Sequence, residues 1–427
     1  MKIAIIGSGI SGMAAAYYLS AEHEVTLFEA GDRLGGHTAT IDVDENGRTI
    51  PVDTGFIVFN DWTYPGFIAL MDKLGVESQP TRMSFSVSDE SSGIEYAGTN
   101  LNTLFGRRKN LFSLKHIKML KEIVRFNRQV EDHLQEYIAS DAEREVTLGE
   151  YLHEHAYSES FKKLYVVPMG SAIWSAKHSD MLKMPLQFFV KFFRNHGLLN
   201  LKNRPQWRVI KNGSKSYIEP LTEPYKDSIR LNTPVYGVDR NITGSYISVE
   251  SKDGVEIFDH VVFACHSNQA LACLKDPTNL EKEILAAIPY SSNEVILHND
   301  ENVLPATRRC WSSWNVALKE GDQKPCLSYN MNILQGINSE KTYVVSMNQT
   351  DVIDPEKVIG RYVYEHPVFS AEGVAAQNRW SDINGQMNTW FCGAYWRNGF
   401  HEDGVWSAHR VYENLQVCSG KSILSAA

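Results

Sequence analysis

The chain is expected to adopt an α/β fold in which a parallel sheet flanked by helices is interrupted by inserted α+β segments. Three observations predict it. An apolar strand, Lys2 to Ile6, runs straight into a glycine-rich turn and then a helix-compatible stretch. Two more apolar strands, EVTLF before Glu29 and HVVFAC from His260 to Cys265, lie far apart in the sequence. The stretches between and after them show helical periodicity or short β-branched and aromatic runs bounded by turn residues.

The opening turn, Gly7-Ser8-Gly9-Ile10-Ser11-Gly12, has the G-x-G-x-x-G spacing between a strand and a helix, and the next strand ends on the acid Glu29. This is the fingerprint of a Rossmann-like unit that binds an adenine dinucleotide. Gly7 permits the tight turn, Gly9 allows backbone approach to a pyrophosphate, and Gly12 lets helix pack on strand. The amides of Ile10 and Ser11 open the helix N-terminus, which favours phosphate. Glu29 is placed to accept hydrogen bonds from a ribose. A glycine turn alone is a common structural device; the flanking strands and the acid in register make the dinucleotide reading.

After Glu29 comes Ala30-Gly31-Asp32-Arg33-Leu34-Gly35-Gly36-His37-Thr38. The doublet Gly35-Gly36 allows a second close backbone approach, and Arg33 is expected to neutralise phosphate charge. A β-hairpin turning at Asn46-Gly47 follows, then Asp53-Thr54-Gly55-Phe56. The stretch SLKHIKMLKEIVRF brings Ile117, Leu120 and Val124 to helical spacing, continued by Val130, Leu134 and Ile138. Asn212-Gly213-Ser214 and Thr233-Pro234-Val235 precede the strand at His260. The segments NEVILHND, CWSSWNVAL, CLSYNMNI and TYVVSMNQ predict a mixed or antiparallel sheet. Near the end, Phe391-Cys392-Gly393-Ala394-Tyr395 and Gly399 to Val405 lead into a helix-like WSAHRVYENLQ.

This order of motifs resembles the flavin-containing amine oxidase and phytoene desaturase superfamily. The resemblance implies a glutathione-reductase-like FAD-binding domain from about 1–88, 205–275 and 385–420. It also implies a substrate domain from 89–204 and 276–384, with 421–427 left as a fraying tail. It further implies FAD held by Gly7, Gly9, Ile10, Ser11, Gly12, Glu29, Ala30, Arg33, Gly35, Gly36, His37, Thr38, Gly55 and Phe56. Val235 is the expected adenine-reading backbone, and Gly393, Glu402, Asp403, Gly404 and Val405 the expected return to the flavin. His37 stands where the superfamily usually has a second arginine, and Tyr395 where it has an acid. The cysteine motif of covalent attachment is missing, so FAD is expected to be noncovalent.

Several peptides are more specific: Met83 to Val87, Ala172 to Ser175, Trp311 to Asn315, Glu365-His366-Pro367 and Gly399 to Gly404. Together they resemble the predicted NAD/FAD-binding oxidoreductases that form the N-terminal part of plant-type fused cyclopropane fatty acid synthases. That resemblance implies redox chemistry on a fatty acyl chain and a lipid methyltransferase as partner.

Composition sets bounds. With 427 residues and 43% hydrophobic content the chain is long enough for two interleaved domains. No apolar run reaches a membrane span, and the apolar N-terminus serves the glycine turn, so neither a span nor a signal peptide is expected. Cys265, Cys273, Cys310, Cys326, Cys392 and Cys418 show no metal-ligand spacing and read as reduced thiols of a cytoplasmic protein. A net charge of −9 argues against nucleic acid. Yet 16 of the 42 Lys and Arg fall in 105–130 and 181–218, the latter carrying PLQFFVKFFRNHGLLNLK. Two readings stay open: an interfacial surface resting on anionic headgroups, or a solvated basic face with phenylalanines lining an internal pocket.

Hydride transfer at a flavin needs mainly a substrate C–H aimed at N5, but unsaturating an acyl chain also requires loss of a proton. His401 is the expected base, oriented by Glu402 or Asp403; the alternative is that these acids cap a helix. Trp311, Trp314, Asn315 and Phe400 are candidate substrate-lining residues. Two alternatives to acyl oxidation or reduction remain: oxidation of small amines with hydrogen peroxide as product, and a non-redox isomerase or lipid-binding accessory.

Overall fold

The computed structural model describes residues 1–140, 146–200, 202–240, 246–318 and 326–418. The expected tail at 421–427 lies outside the described residues.

A five-stranded parallel sheet forms the nucleotide-binding layer, in the order Ile229–Arg230, Glu24–Phe28, Lys2–Ile6, His260–Phe263, Thr389–Phe391. Its central strand is buried from Ile3 to Ile6, as a parallel strand covered on both faces must be. Helix Ile10–Ser20 packs against helix His401–Cys418, so the first and last helices share one face of the sheet. The small residues Gly12, Ala14, Ala15 and Ala16 are buried along the first of these helices. Small side chains allow that close approach.

A seven-stranded mixed sheet forms the second layer, ordered Val358–Pro367, Tyr290–His298, Val344–Met347, Cys326–Asn330, Trp314–Leu318, Phe85–Asp89, Ile94–Ala97. All its pairs are antiparallel except Trp314–Leu318 with Phe85–Asp89. The strand Phe85–Asp89 therefore belongs to the mixed sheet. Strand Val358–Pro367, the longest at 10 residues, was not among the expected segments. It lies at a sheet edge with its side chains largely half-buried or exposed, which blurs the apolar pattern.

The hairpin forms as expected, Thr40–Glu45 against Arg48–Asp53, with Asn46 at φ 56° and Gly47 at φ 80°. Both left-handed values are what a two-residue hairpin turn requires.

Helix Leu114–Ser140 spans the expected helical stretch, but its buried stripe is rotated. His116, Met119, Glu122, Phe126, Val130 and Leu134 face inward, whereas Ile117, Leu120 and Val124 are only half-buried and Ile138 is exposed. Glu122 enters the stripe because its carboxylate accepts the Ser158 amide at 3.1 Å and the Ser158 hydroxyl. A buried acid with such partners is tolerated, and apolar periodicity alone does not reveal it.

Candidate functional site: a dinucleotide cradle ending in an aromatic wall

The glycine turn is built as its spacing requires. Gly7 sits at φ +103°, and its amide donates to the Phe28 carbonyl at 2.8 Å, tying the turn to the neighbouring strand. A Cβ on Gly12 would lie 1.9 Å from the Gly7 carbonyl oxygen, so only glycine fits where helix meets strand. A Cβ on Gly9 would meet nothing within 4 Å.

The glycine doublet packs onto this turn. Gly35 donates to the Ser8 carbonyl at 3.0 Å, and a Cβ on Gly36 would lie 3.2 Å from the Gly9 Cα. From the far end of the chain, a Cβ on Gly404 would come within 2.7 Å of Ile10 Cγ2 and 2.8 Å of Ser11 Oγ. Two helix N-termini and two glycine turns therefore converge, with buried Val405 following in the last helix. Aligned backbone dipoles make such a place favourable for a pyrophosphate. The residues present fit an adenine dinucleotide.

At the adenosine end, Glu29 Oε2 accepts the amide and the hydroxyl of Ser8, at 2.9 and 2.5 Å, and Oε1 accepts the Gly31 amide at 2.8 Å. Exposed Ala30 links these groups. The Glu29 carbonyl accepts the Thr233 amide at 2.9 Å, which brings the start of strand Val235–Arg240 beside the acid. Glu29, Thr233 and Val235, distant in sequence, are thus neighbours. A ribose hydroxyl at Glu29 shares a carboxylate already engaged by Ser8.

Arg33 is placed differently from expectation. Its guanidinium donates to the carbonyls of Leu34, Gly36 and Thr38 at 3.2, 2.9 and 2.9 Å, so it clamps the doublet loop. Three backbone acceptors at short range hold the fork there. His37 also departs from a phosphate contact: its Nε2 donates to the Glu365 carbonyl at 3.1 Å. Its ring lies 5.2 Å from Tyr364, 5.4 Å from His366 and 6.0 Å from His266. Burial, with His266 nearby, lowers its pKa to about 4, so it is neutral.

Gly55 and Phe56 approach the same loop. A Cβ on Gly55 would lie 2.0 Å from the His37 carbonyl oxygen, and the Phe56 amide donates to that oxygen at 2.7 Å. The Phe56 ring stacks on His401 at 3.5 Å with 12° between planes. His401 Nε2 lies 3.0 Å from Thr38 Oγ1 and 3.1 Å from the Tyr217 hydroxyl, which also bond each other. Burial, the larger cause, and His37 hold the His401 imidazole well below the usual histidine pKa. A base so weak has little drive to take a proton at neutral pH.

Glu402 does not orient His401. Its two oxygens accept the amides of Gly66 and Phe67 at 3.1 and 2.8 Å, capping helix Pro65–Lys73. Asp403 Oδ2 accepts the amides of Asn398 and Phe400 at 3.2 and 2.9 Å, and burial raises its pKa to about 7. The acids expected to orient His401 thus accept backbone amides, and Thr38 and Tyr217 hold the imidazole instead. Donor-rich helix termini attract acids, and the peptide GFHEDG gives no sign of which helix they serve. Gly393 donates to Ser407 Oγ at 2.9 Å, anchoring the last strand to the last helix.

Of the candidate substrate-lining residues, Phe400 alone joins the wall of the site. Its ring packs 5.4 Å from Phe192 and 6.0 Å from His196. Phe192 packs 4.7 Å from Trp174, which lies 5.8 Å from Phe188, and Phe188 stacks 5.1 Å from Phe369. Trp311 instead donates its indole N–H to the Pro305 carbonyl at 2.8 Å, under the Arg308 guanidinium. Asn315 is fully engaged: it accepts from Ser86 and Ser312 and donates to the carbonyls of Ser312 and Ser328. Trp314 packs edge-on to Tyr329 at 5.3 Å, both half-buried against the hydrophobic core of the mixed sheet. Tyr217, absent from the expectations, belongs to the site; its short 3-10 turn carries no motif of its own.

Among the described residues no group of His, Cys, Asp or Glu side chains is arranged to hold a metal ion, and no helix is long and apolar enough to cross a membrane.

A sequence model of the flavin containing amine oxidoreductase family matches residues 10–309. The chain belongs to that family. Its members are FAD-dependent oxidoreductases, and FAD is the cofactor this cradle is expected to hold. AofH of Mycobacterium tuberculosis, assigned as a flavin-containing monoamine oxidase, is 26% identical over 65% of this chain and 59% of its own length. The chain thus spans about three fifths of that relative. Protoporphyrinogen oxidase of Schizosaccharomyces pombe is 23% identical over 71% of this chain and 69% of its own. Two solved structures share the fold over nearly all of both chains. Putrescine oxidase bound to putrescine has a TM-score of 0.65 at 15% identity, covering 98% of this chain and 99% of its own. A CLA-producing fatty acid isomerase from P. acnes has a TM-score of 0.67 at 15% identity, covering 97% and 98%.

Proposed function

We propose that this family member oxidises or reduces an unsaturated, methylated or cyclopropanated fatty acyl chain. The observation that carries the reading is the aromatic wall. It runs from Phe188 and Trp174 through Phe192 to Phe400, whose neighbour in the chain, His401, stacks on Phe56 at the dinucleotide cradle. Bound FAD supplies the hydride acceptor or donor.

The chain's own residues supply binding and exclusion of water. Half-buried Phe400 offers a ring face on which methylene groups pack, backed from the core by Phe192. Neutral His401, held by Thr38 and Tyr217, closes the wall without placing a charge in it. The nearby carboxylates are engaged elsewhere, Glu402 and Asp403 on backbone amides and Asp53 on Thr40, Ser214 and Gln335. None stands free to pair with a substrate ammonium. A lipid methyltransferase is the proposed partner, by the likeness of the SWN and GFHEDG peptides.

Oxidation of small amines is the second reading, favoured by the description of the AofH relative. The test is anaerobic mixing of the purified flavoprotein with vesicles bearing unsaturated or methyl-branched chains, and separately with amines. Bleaching of the flavin by the lipids supports the proposal. Bleaching by amines alone overturns it, as does a double-bond shift without net redox change, the outcome expected of an isomerase.

A further inference from the structure

Residues 101–121 form a surface tip unlike the rest of the exterior. Phe112 is 88% exposed, Leu114 83% and Leu101 75%, the three most exposed large apolar side chains among the described residues; Leu111 adds 47%. They stand on helix Leu101–Leu104, the 3-10 turn Arg108–Phe112 and the first turn of helix Leu114–Ser140.

The tip is built, not frayed. Buried Asn110 donates to the Glu95 carbonyl at 2.7 Å, and buried His116 donates through Nε2 to the Leu104 carbonyl at 2.9 Å. Asn100 and Thr103 form a capping box. The Arg108 guanidinium donates to Asn102 Oδ1 at 2.7 Å and to the Phe105 carbonyl at 2.8 Å. These bonds fix a backbone that holds Phe112 and Leu114 in water, where each is disfavoured.

Charge completes the description. Arg107, Arg108, Lys109, Lys115, Lys118 and Lys121 fall between Leu101 and Lys121, with no acid among them. The nearest acids in sequence are engaged inward: Glu95 accepts from Ala306 and Thr307, and Glu122 from Ser158. Among the described residues none of the six cations makes an ion pair with a carboxylate. On a chain of net charge −9, an apolar point ringed by cations fits one kind of partner. A second copy of the same tip is repelled by like charge, and duplex nucleic acid leaves Phe112 and Leu114 in water.

We propose that this tip inserts Phe112, Leu114, Leu101 and Leu111 into the interface of an anionic lipid bilayer, with its lysines and arginines among the headgroups. Among the described residues of the other basic segment, 181–218, no large apolar side chain is exposed in this way. In helix Leu186–Asn195, Phe189, Phe192 and Phe193 are buried, while Lys191 and Arg194 point outward, which leaves a solvated basic face. The inference stands apart from the acyl-substrate reading, since docking is measured without turnover.

The test is co-sedimentation of the flavin-loaded protein with phosphatidylcholine vesicles, with or without phosphatidylglycerol. Binding is expected only to the mixed vesicles and weakens as salt is raised. The double variant Phe112→Ser/Leu114→Ser should weaken partitioning by at least about tenfold. Lys115→Glu/Lys118→Glu should do the same through charge alone. Flavin content and melting temperature, unchanged in both, separate lost docking from lost folding. Failure of the wild type to pellet with mixed vesicles overturns the proposal, as does equal binding by the serine variant. So does a wild-type dimer that the serine variant abolishes, or a preference for duplex DNA over the mixed vesicles in competition.

Discussion

Glu402 Oε2 accepts the amide of Phe67 at 2.8 Å, across more than three hundred residues of chain. The residue after His401 thereby fixes the start of helix Pro65–Lys73 against the N-terminus of the last helix. Phe67 in turn packs edge-on to Phe56 and His401, so the cap holds the aromatic floor of the site in place. Replacing Glu402 by Ala removes both acceptors and should cost about 1–2 kcal/mol of stability, as for other lost helix caps. Glu402→Gln keeps one acceptor and should recover part of the loss. Urea unfolding of the two variants checks the difference.

Gly12→Ala is the sharper test of the cradle. Its Cβ would meet the Gly7 carbonyl oxygen at 1.9 Å, a distance no side-chain adjustment relieves. The expected outcome is loss of flavin or of soluble protein. Gly404→Ala meets Ile10 Cγ2 at 2.7 Å, a side-chain atom able to shift, and should lower flavin occupancy without abolishing folding. The flavin-to-protein absorbance ratio measures both.

Acid lability follows from the buried histidines. Burial lowers the pKa of His37, His196, His266 and His298 to about 4 and of His366 to about 3. In the unfolded chain they titrate near the ordinary histidine value of 6.5. Each therefore contributes stability present above pH 6.5 that is lost as pH falls toward its folded value, at about 1.4 kcal/mol per pH unit. Asp53 and Asp403, raised by burial to about 6 and about 7, act in the opposite sense but are fewer. Stability should fall steeply between pH 6 and 4. His298→Gln, which can keep the contacts to Ser346 and the Asp300 amide, should reduce the slope by about one proton. Urea unfolding across that range reads the slope directly.

The aromatic wall makes a separable prediction about substrate. Phe192 is 4% exposed, and Phe192→Ala should destabilise the protein by about 3–5 kcal/mol as a core truncation. Phe400 is half-buried between the hydrophobic cores of the parallel-sheet and mixed-sheet layers, so Phe400→Ala should cost less stability. Its expected effect is a raised KM for acyl substrates. Stopped-flow flavin reduction over a range of lipid concentrations checks it.

The glycine turns of the nucleotide site could be read from the residues alone. Gly7, Gly12, Gly35 and Gly36 were legible because their backbone needs, a tight turn or an approach no Cβ allows, leave only glycine. Asn46-Gly47 was legible for the same local reason. Tertiary structure decided what polar side chains do. Arg33 turns back on its own loop, and His37 meets Glu365 from an edge strand. Tyr217 joins His401, and Glu402 serves a helix far away in the chain. A polar side chain takes whichever partner folding brings within hydrogen-bond reach, and that partner is set by contacts distant in sequence. Likewise, both basic segments read alike as composition. Folding buried Phe189, Phe192 and Phe193 of one and left Phe112 and Leu114 of the other in water.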